Sequence, residues 1–356
     1  MVTLYIGSSD TYSGKTLTGM VLGLRYQEQG RRVGYFKPFG LIPHPVGAAI
    51  TDEDAEFVAG VLHLPDRLED LCPLLLTPEV LRRAMQEPTE KNAAIVRDAF
   101  ARLARDRDIM LVGGSGSVLS RGALIGLRGP RVAELFDARV LLISKLHSYL
   151  DVDALIAAQE QFGGRLAATL LNNIPTQHMD HVRGTTVPYL NSRGFHVIGA
   201  LPNDPVLDSV SIRELTEHLA ASVLCGEDHL DELVEAFSVG AMNVESALRY
   251  FRRVNRKCVI TGGDRSDIQI AALETPTKCL ILTGDLQPSS TVLARARAAG
   301  VPTLLVREDT LSTVERLERL LGRLRVREPK KIQRARELFA EHVDLDALDA
   351  AIGLTH

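Results

Sequence analysis

The residues best suited to chemistry stand at the start of the chain: Ser9-Asp10-Thr11-Tyr12-Ser13-Gly14-Lys15-Thr16-Leu17. Small and polar residues running into Gly-Lys-Thr suit the binding of an anion. The N–H groups of such a turn, together with the N-terminus of a following helix, face negative charge. Lys15 adds a full positive charge, and the Thr16 hydroxyl can hold a magnesium ion that bridges phosphates. The spacing departs from the usual loop at one point. Its first glycine position is Ser9, and the nearest glycine is Gly7. The competing reading is an ordinary strand-to-helix turn that happens to spell Gly-Lys-Thr.

The flanking elements favour the phosphate reading. Val2-Thr3-Leu4-Tyr5-Ile6 predicts a buried strand. Leu17, Met20, Val21 and Leu24 recur at helical spacing, and Gly30 predicts the helix stop. The next strand, Arg31 to Phe36, delivers Lys37-Pro38 at its carboxyl end, where open α/β sheets place ligands. A Pro/Gly-rich loop over 42–49 then precedes an acidic cluster, Asp52-Glu53-Asp54. Those acids suit a helix start, and Asp52 or Asp54 suits the metal near Thr16. Asp108 to Val112 predicts another buried strand, ending in Gly113-Gly114-Ser115-Gly116-Ser117. Many phosphate-loop enzymes keep a metal-holding carboxylate there; this chain has Gly113. Strands 138–143, 166–171 and 196–200 follow, alternating with helical stretches, which predicts a doubly wound, mostly parallel sheet.

A boundary near 205–212 opens a second α/β region. It predicts a helix over 212–224, an extended stretch over 233–240, and strands at 257–261, 279–284 and 301–306. The expected domains are 1–208, 209–326 and a charged helical tail from 327. Composition narrows the partners. The formal net charge is −4 and no tryptophan is present, which speaks against nucleic acid. Four dispersed cysteines form no Cys-x-x-Cys pair, so neither a zinc site nor a disulfide framework is expected. With no signal-like start and no membrane-length apolar run, the expected location is cytoplasmic.

The segment Ser8 to Thr16, the Gly34-Tyr35-Phe36-Lys37-Pro38 strand end and Asp54-Ala55 together resemble dethiobiotin synthetase and related phosphate-loop amidoligases, over about residues 1–205. The resemblance implies ATP and magnesium as cofactors, Lys37 with Lys15 in catalysis, Thr16 with Asp54 or Asp52 on the metal, Asn172 reading adenine, and Pro202-Asn203 cradling the base. It also implies a homodimer. Where dethiobiotin synthetases continue their strand with Glu-Gly-Ala-Gly-Gly, this chain has Gly113. The second region resembles the DRTGG domain through Val239-Gly240-Ala241-Met242, Ile260 to Arg265 and Leu282-Thr283-Gly284. The two together, in this order, resemble the N-terminal regulatory region of large phosphotransacetylases. The acyltransferase domain of those proteins has no counterpart in these residues, so acetyl transfer is not expected.

Three functions are therefore weighed. The first is an ATP-binding regulatory or sensor protein, whose second domain takes a small ligand or partner protein. The second is an active ATP-dependent ligase, of dethiobiotin synthetase or cobyrinic acid amide synthase type, in which Asp52 or Glu53 replaces the missing carboxylate. The third is a structural interaction module with a relic loop.

Overall fold

In the computed structural model, residues 1–354 are described except Tyr12, Ile42, Ala48, His147 and 325–328. Two units are distinguished. One runs from Met1 to Asn203 and takes in the C-terminal helices from Pro329; the other begins at Asp204.

The first unit is built on a six-stranded sheet. Its strands are β1 (Val2–Ser8), β2 (Val33–Phe36), β5 (Ile109–Gly113), β6 (Arg139–Lys145), β7 (Leu166–Ile174) and β8 (Val197–Pro202), in the order β2-β5-β1-β6-β7-β8. All neighbouring pairs are parallel, so every strand delivers its carboxyl end to one edge. Strands of such sheets are buried on both faces and read as continuous apolar runs. β1 and β5 do so, with Leu4, Ile6 and Ile109 to Val112 fully enclosed. Register sets Ile6 opposite Gly113 and Ser8 opposite Ile143.

Helix α1 (Lys15–Glu28) follows β1 directly and ends before Gly30, whose φ of +78° favours glycine. Under β2, Phe36 meets Phe100 and Phe136 edge-on, both at 5.5 Å between ring centroids. These contacts fix the strand end that carries Lys37.

From Pro43 on, the loop expected over 42–49 folds with the residues up to Asp52 as an antiparallel hairpin of β3 (Pro43–Val46) and β4 (Ala49–Asp52), turning at Gly47. It is a two-stranded ribbon, so the missing N–H groups of Pro43 and Pro45 cost it no central ladder bond. Ile42 and Ala48 lie outside the described residues. The hairpin delivers Asp52 as the N-cap of helix α2 (Glu53–Val61).

The C-terminal helices Pro329–His342 and Leu345–Ile352 pack on this first unit. Asp344 donates its N–H to the Ile198 carbonyl at 2.7 Å, and Val343 bridges to Gly199. Leu338, Phe339, Leu348 and Ile352 are buried.

The second unit contains β9 (Val210–Ser211), β10 (Ser222–Cys225), β11 (Leu233–Val234), β12 (Ala236–Val239), β13 (Lys257–Gly262), β14 (Thr277–Thr283) and β15 (Thr303–Leu305). β9 and β11 pair as a small ribbon. The main sheet has the order β10-β15-β14-β13-β12, parallel except for β10 at the edge. The helix expected over 212–224 stops at Leu219. Ala220 adopts a left-handed conformation at φ +50°, its N–H turns back to Glu217, and Ser222–Cys225 joins the sheet as a strand. The start of that helix carries a reciprocal capping box between Ser211 and Glu214, a signal present in the sequence.

Candidate nucleotide site

The loop after β1 is pinned from both sides. Ser9 donates its N–H to the Ile143 carbonyl at 3.1 Å, and its hydroxyl meets that of Ser144 at 2.9 Å. Val118 donates to the Ser8 carbonyl at 2.9 Å. From β7, the Asn172 amide donates to the Ser13 carbonyl at 2.9 Å. Within the loop, the Ser13 hydroxyl donates to the Asp10 carbonyl at 2.9 Å, and Thr11 N–H bonds the Asp10 carboxylate at 2.6 Å. Gly14 takes φ +95°, which favours glycine, and a Cβ there would lie 2.6 Å from the Asn172 amide nitrogen. Tyr12 lies outside the described residues.

Among the described residues, no acceptor pairs with the backbone N–H groups of Gly14, Lys15 and Thr16, and no side chain caps α1. Free N–H groups at a helix N-terminus are an anion site in waiting. Lys15 Nζ donates to Ser8 Oγ at 2.7 Å and reaches the Asp10 carbonyl at 3.5 Å. Burial lowers its pKa to about 8; Asp54 opposes that effect and the nearby Lys37 adds to it. The role of Ser8 as a rest for the Lys15 ammonium was not legible from residue types.

Opposite the loop stands Lys37, whose side chain is 5% exposed. Its Nζ donates to Asp52 Oδ1 at 2.5 Å and Asp54 Oδ2 at 2.7 Å. Burial disfavours the charged amine, but the two carboxylates outweigh it and hold Lys37 above its ordinary range. The fully enclosed Asp52 also accepts from the N–H groups of Leu41, Asp54 and Ala55. Asp54 is held below the usual carboxylate range: burial works against its ionisation, and Lys37, Lys15 and a hydrogen bond from Thr16 outweigh it. Thr16 and Asp54 therefore stand together, with Lys15 and Lys37 beside them. Among the described residues, no group of three or more His, Cys, Asp or Glu side chains is placed to hold a metal. A magnesium ion carried on phosphates takes only one or two protein carboxylates, so Thr16 with Asp54 fits that demand.

The remaining predicted residues lie along the same sheet edge. Asn172 belongs to β7, and Pro202 ends β8, opposite Ile174. The exposed Asn203 donates to Asn173 Oδ1 at 2.7 Å, and its N–H goes to the Ile174 carbonyl.

A family model described as an AAA domain matches residues 2–211. The chain belongs to that family. A DRTGG domain model matches residues 214–320. Among curated relatives, the phosphate acetyltransferase of Synechocystis sp. is 25% identical over 363 residues, covering 97% of this chain and 51% of the relative. The ATP-dependent dethiobiotin synthetase BioD of Methanococcus vannielii is 25% identical over 202 residues, covering 56% of this chain and 78% of the relative. The chain thus spans about half the length of the phosphate acetyltransferase it matches. Among solved structures, cobyrinic acid a,c-diamide synthase of Mycobacterium smegmatis with bound ADP and magnesium matches at 16% identity and a TM-score of 0.36, covering 57% of this chain and 87% of that one. The P-loop AAA domain and the DRTGG domain follow each other as the sequence resemblance implied.

Proposed function

We propose that the first unit binds ATP with magnesium and that the chain is regulatory, of the kind found in the N-terminal half of its phosphate acetyltransferase relatives. The observation that carries this reading is the single network of Lys15, Thr16, Asp54 and Lys37 beside the N–H groups of Gly14 to Thr16, which meet no acceptor among the described residues. In this reading the amides and Lys15 take the phosphates, while Thr16 and Asp54 take the metal. Asp52 stands behind them, fixing Lys37 and the start of α2. Ser9, Asp10, Thr11, Ser13 and Leu17 shape the cradle, and Asn172, Pro202 and Asn203 line the base side. The DRTGG-type unit would receive a small ligand or partner protein and answer to the nucleotide state. A cytoplasmic homodimer remains part of the proposal.

Calorimetry with ATP and ADP, with and without magnesium, tests it. Micromolar or tighter binding that Lys15→Ala abolishes supports the reading; no heat at millimolar nucleotide defeats it.

A second reading draws on the buried Lys37 and the BioD relative. Here ATP would activate a carboxylate or carbamate as a mixed phosphate anhydride, with Lys37 neutralising the transferred phosphoryl group. Release of inorganic phosphate that depends on an added diamine or dicarboxylate would favour it.

A further inference from the structure

Phosphate-loop hydrolases hold their metal with a carboxylate delivered by a strand close to the loop strand. Here the strand beside β1, on the side of Lys37 and Asp54, is β5, and it ends at Gly113. A Cβ on Gly113 would lie 2.3 Å from Tyr35 Oη and 3.0 Å from Tyr35 Cζ. A Cβ on Gly114 would lie 2.7 Å from Tyr5 Oη and 3.0 Å from the Ile6 carbonyl. Both tyrosines are 3% exposed, and they come from β1 and β2, the strands on either side of β5. The glycines therefore do more than omit a carboxylate. The room in which one would start is already filled from both neighbouring strands.

We propose that Tyr35 fills the place in which a phosphate-loop hydrolase keeps its metal-holding carboxylate, so that the first unit holds ATP intact and reads it without cleaving it. This rests on the ATP-binding reading above. Burial keeps both hydroxyls protonated, so neither supplies the negative charge that a carboxylate would. Asp54 is the single carboxylate that the ATP-binding reading gives to the metal, and Asp52 behind it is tied to Lys37 and to three backbone N–H groups. Tyr35 is thus a positioning residue: it acts by excluding a group, and no contact with ATP is required of it.

The test uses the full chain and two readouts. The first follows magnesium-ATP binding by calorimetry and the fate of the nucleotide by chromatography. The expected result is saturable binding with ATP recovered, and fewer than about one phosphate released per protein per hour, against the 1–10³ s⁻¹ of ordinary enzymes. The second is thermal melting of Gly113→Ala, Tyr35→Phe and the double variant. Gly113→Ala should lose at least about 4 °C, and adding Tyr35→Phe should return most of it, because the hydroxyl is the nearest clash. If Gly113→Ala does not fold, a folded double variant makes the same point. Enzyme-rate, Lys15-dependent phosphate release would overturn the inference and leave ATP binding standing. Absence of ATP binding would overturn both. An unchanged melting temperature in Gly113→Ala would show that Tyr35 does not occupy the space.

Discussion

Lys37 donates to Asp54 Oδ2 at 2.7 Å, and Thr16 favours the ionised form of the same carboxylate. Asp54 thus links the start of the phosphate-facing helix to the strand-end lysine. If Asp54 carries magnesium, Asp54→Asn should lower ATP affinity about 10–100-fold in magnesium and change it little in EDTA. Calorimetry in the two buffers separates these effects, and equal losses in both would argue against a metal role.

Removing Lys37 should cost stability rather than leave a neutral gap. Lys37→Ala strands the fully enclosed Asp52 beside Asp54, and breaking such a buried pair typically costs about 3–5 kcal/mol. Urea unfolding of the variant against the parent measures this. Because the Asp54 pKa is depressed in the fold, its share of the stability is present above the unfolded carboxylate pKa. That share should disappear as pH falls through the acid range below about 4. Asp54→Asn should flatten that part of the acid-unfolding curve.

Lys15 titrates near pH 8 in the fold, through burial above all. Polyphosphate favours its charged form, so binding above pH 8 must take up a proton. ATP affinity should therefore fall as pH rises from 7 to 9.5. Calorimetry in buffers of different ionisation enthalpy should detect net proton uptake at pH 9 and little at pH 7. In the absence of nucleotide the sign for stability is the reverse. The unfolded chain binds more protons between pH 8 and the ordinary lysine pKa, so the Lys15 desolvation cost is relieved as pH rises through that window.

Asp349 and Asp346 both bond Arg25 but should respond differently to removal. The Asp349 side chain is 3% exposed and also accepts from the Tyr26 hydroxyl at 2.8 Å. Asp349→Ala should cost about 2–4 kcal/mol by leaving buried partners unpaired. Asp346 is 81% exposed, and its loss should fall within about 0.5 kcal/mol. Chemical denaturation of the two variants, followed by a probe in the first unit, compares them.

In the second unit, Gly263 is enclosed by backbone. A Cβ there would lie 1.8 Å from the Leu286 carbonyl oxygen, which no rotamer change can relieve. Gly263→Ala should destabilise this unit by about 1–3 kcal/mol or more. Hydrogen exchange resolved along the chain should show faster opening across residues 257–305 than in the parent.

The local elements of the nucleotide site could be read from the chain alone. An apolar run, a polar turn, Gly-Lys-Thr and a helical repeat are decided within about 25 residues, where backbone preference and side-chain period act directly. The parallel sheet and the α/β character of the second region followed from the same local logic repeated, and the DRTGG likeness came from the resemblance of its short motifs. Tertiary structure decided what those elements meet. Asp54 reaches Thr16 only because the 43–52 segment folds as a hairpin and sets Asp52 as a helix cap. Ala220 turns left-handed and sends Ser222–Cys225 into a sheet edge, although the residues themselves suit a longer helix. The residues of the charged helical tail revealed no role for it; in the fold its apolar positions find their cover on the first unit. Gly113 announced a missing carboxylate, but that Tyr35 stands in its place is a matter of strands paired across more than seventy residues of chain. Periodicity and turn chemistry are properties of neighbours in sequence; exclusion of volume and pairing of buried charge belong to neighbours in space, and only the folded chain brings those together.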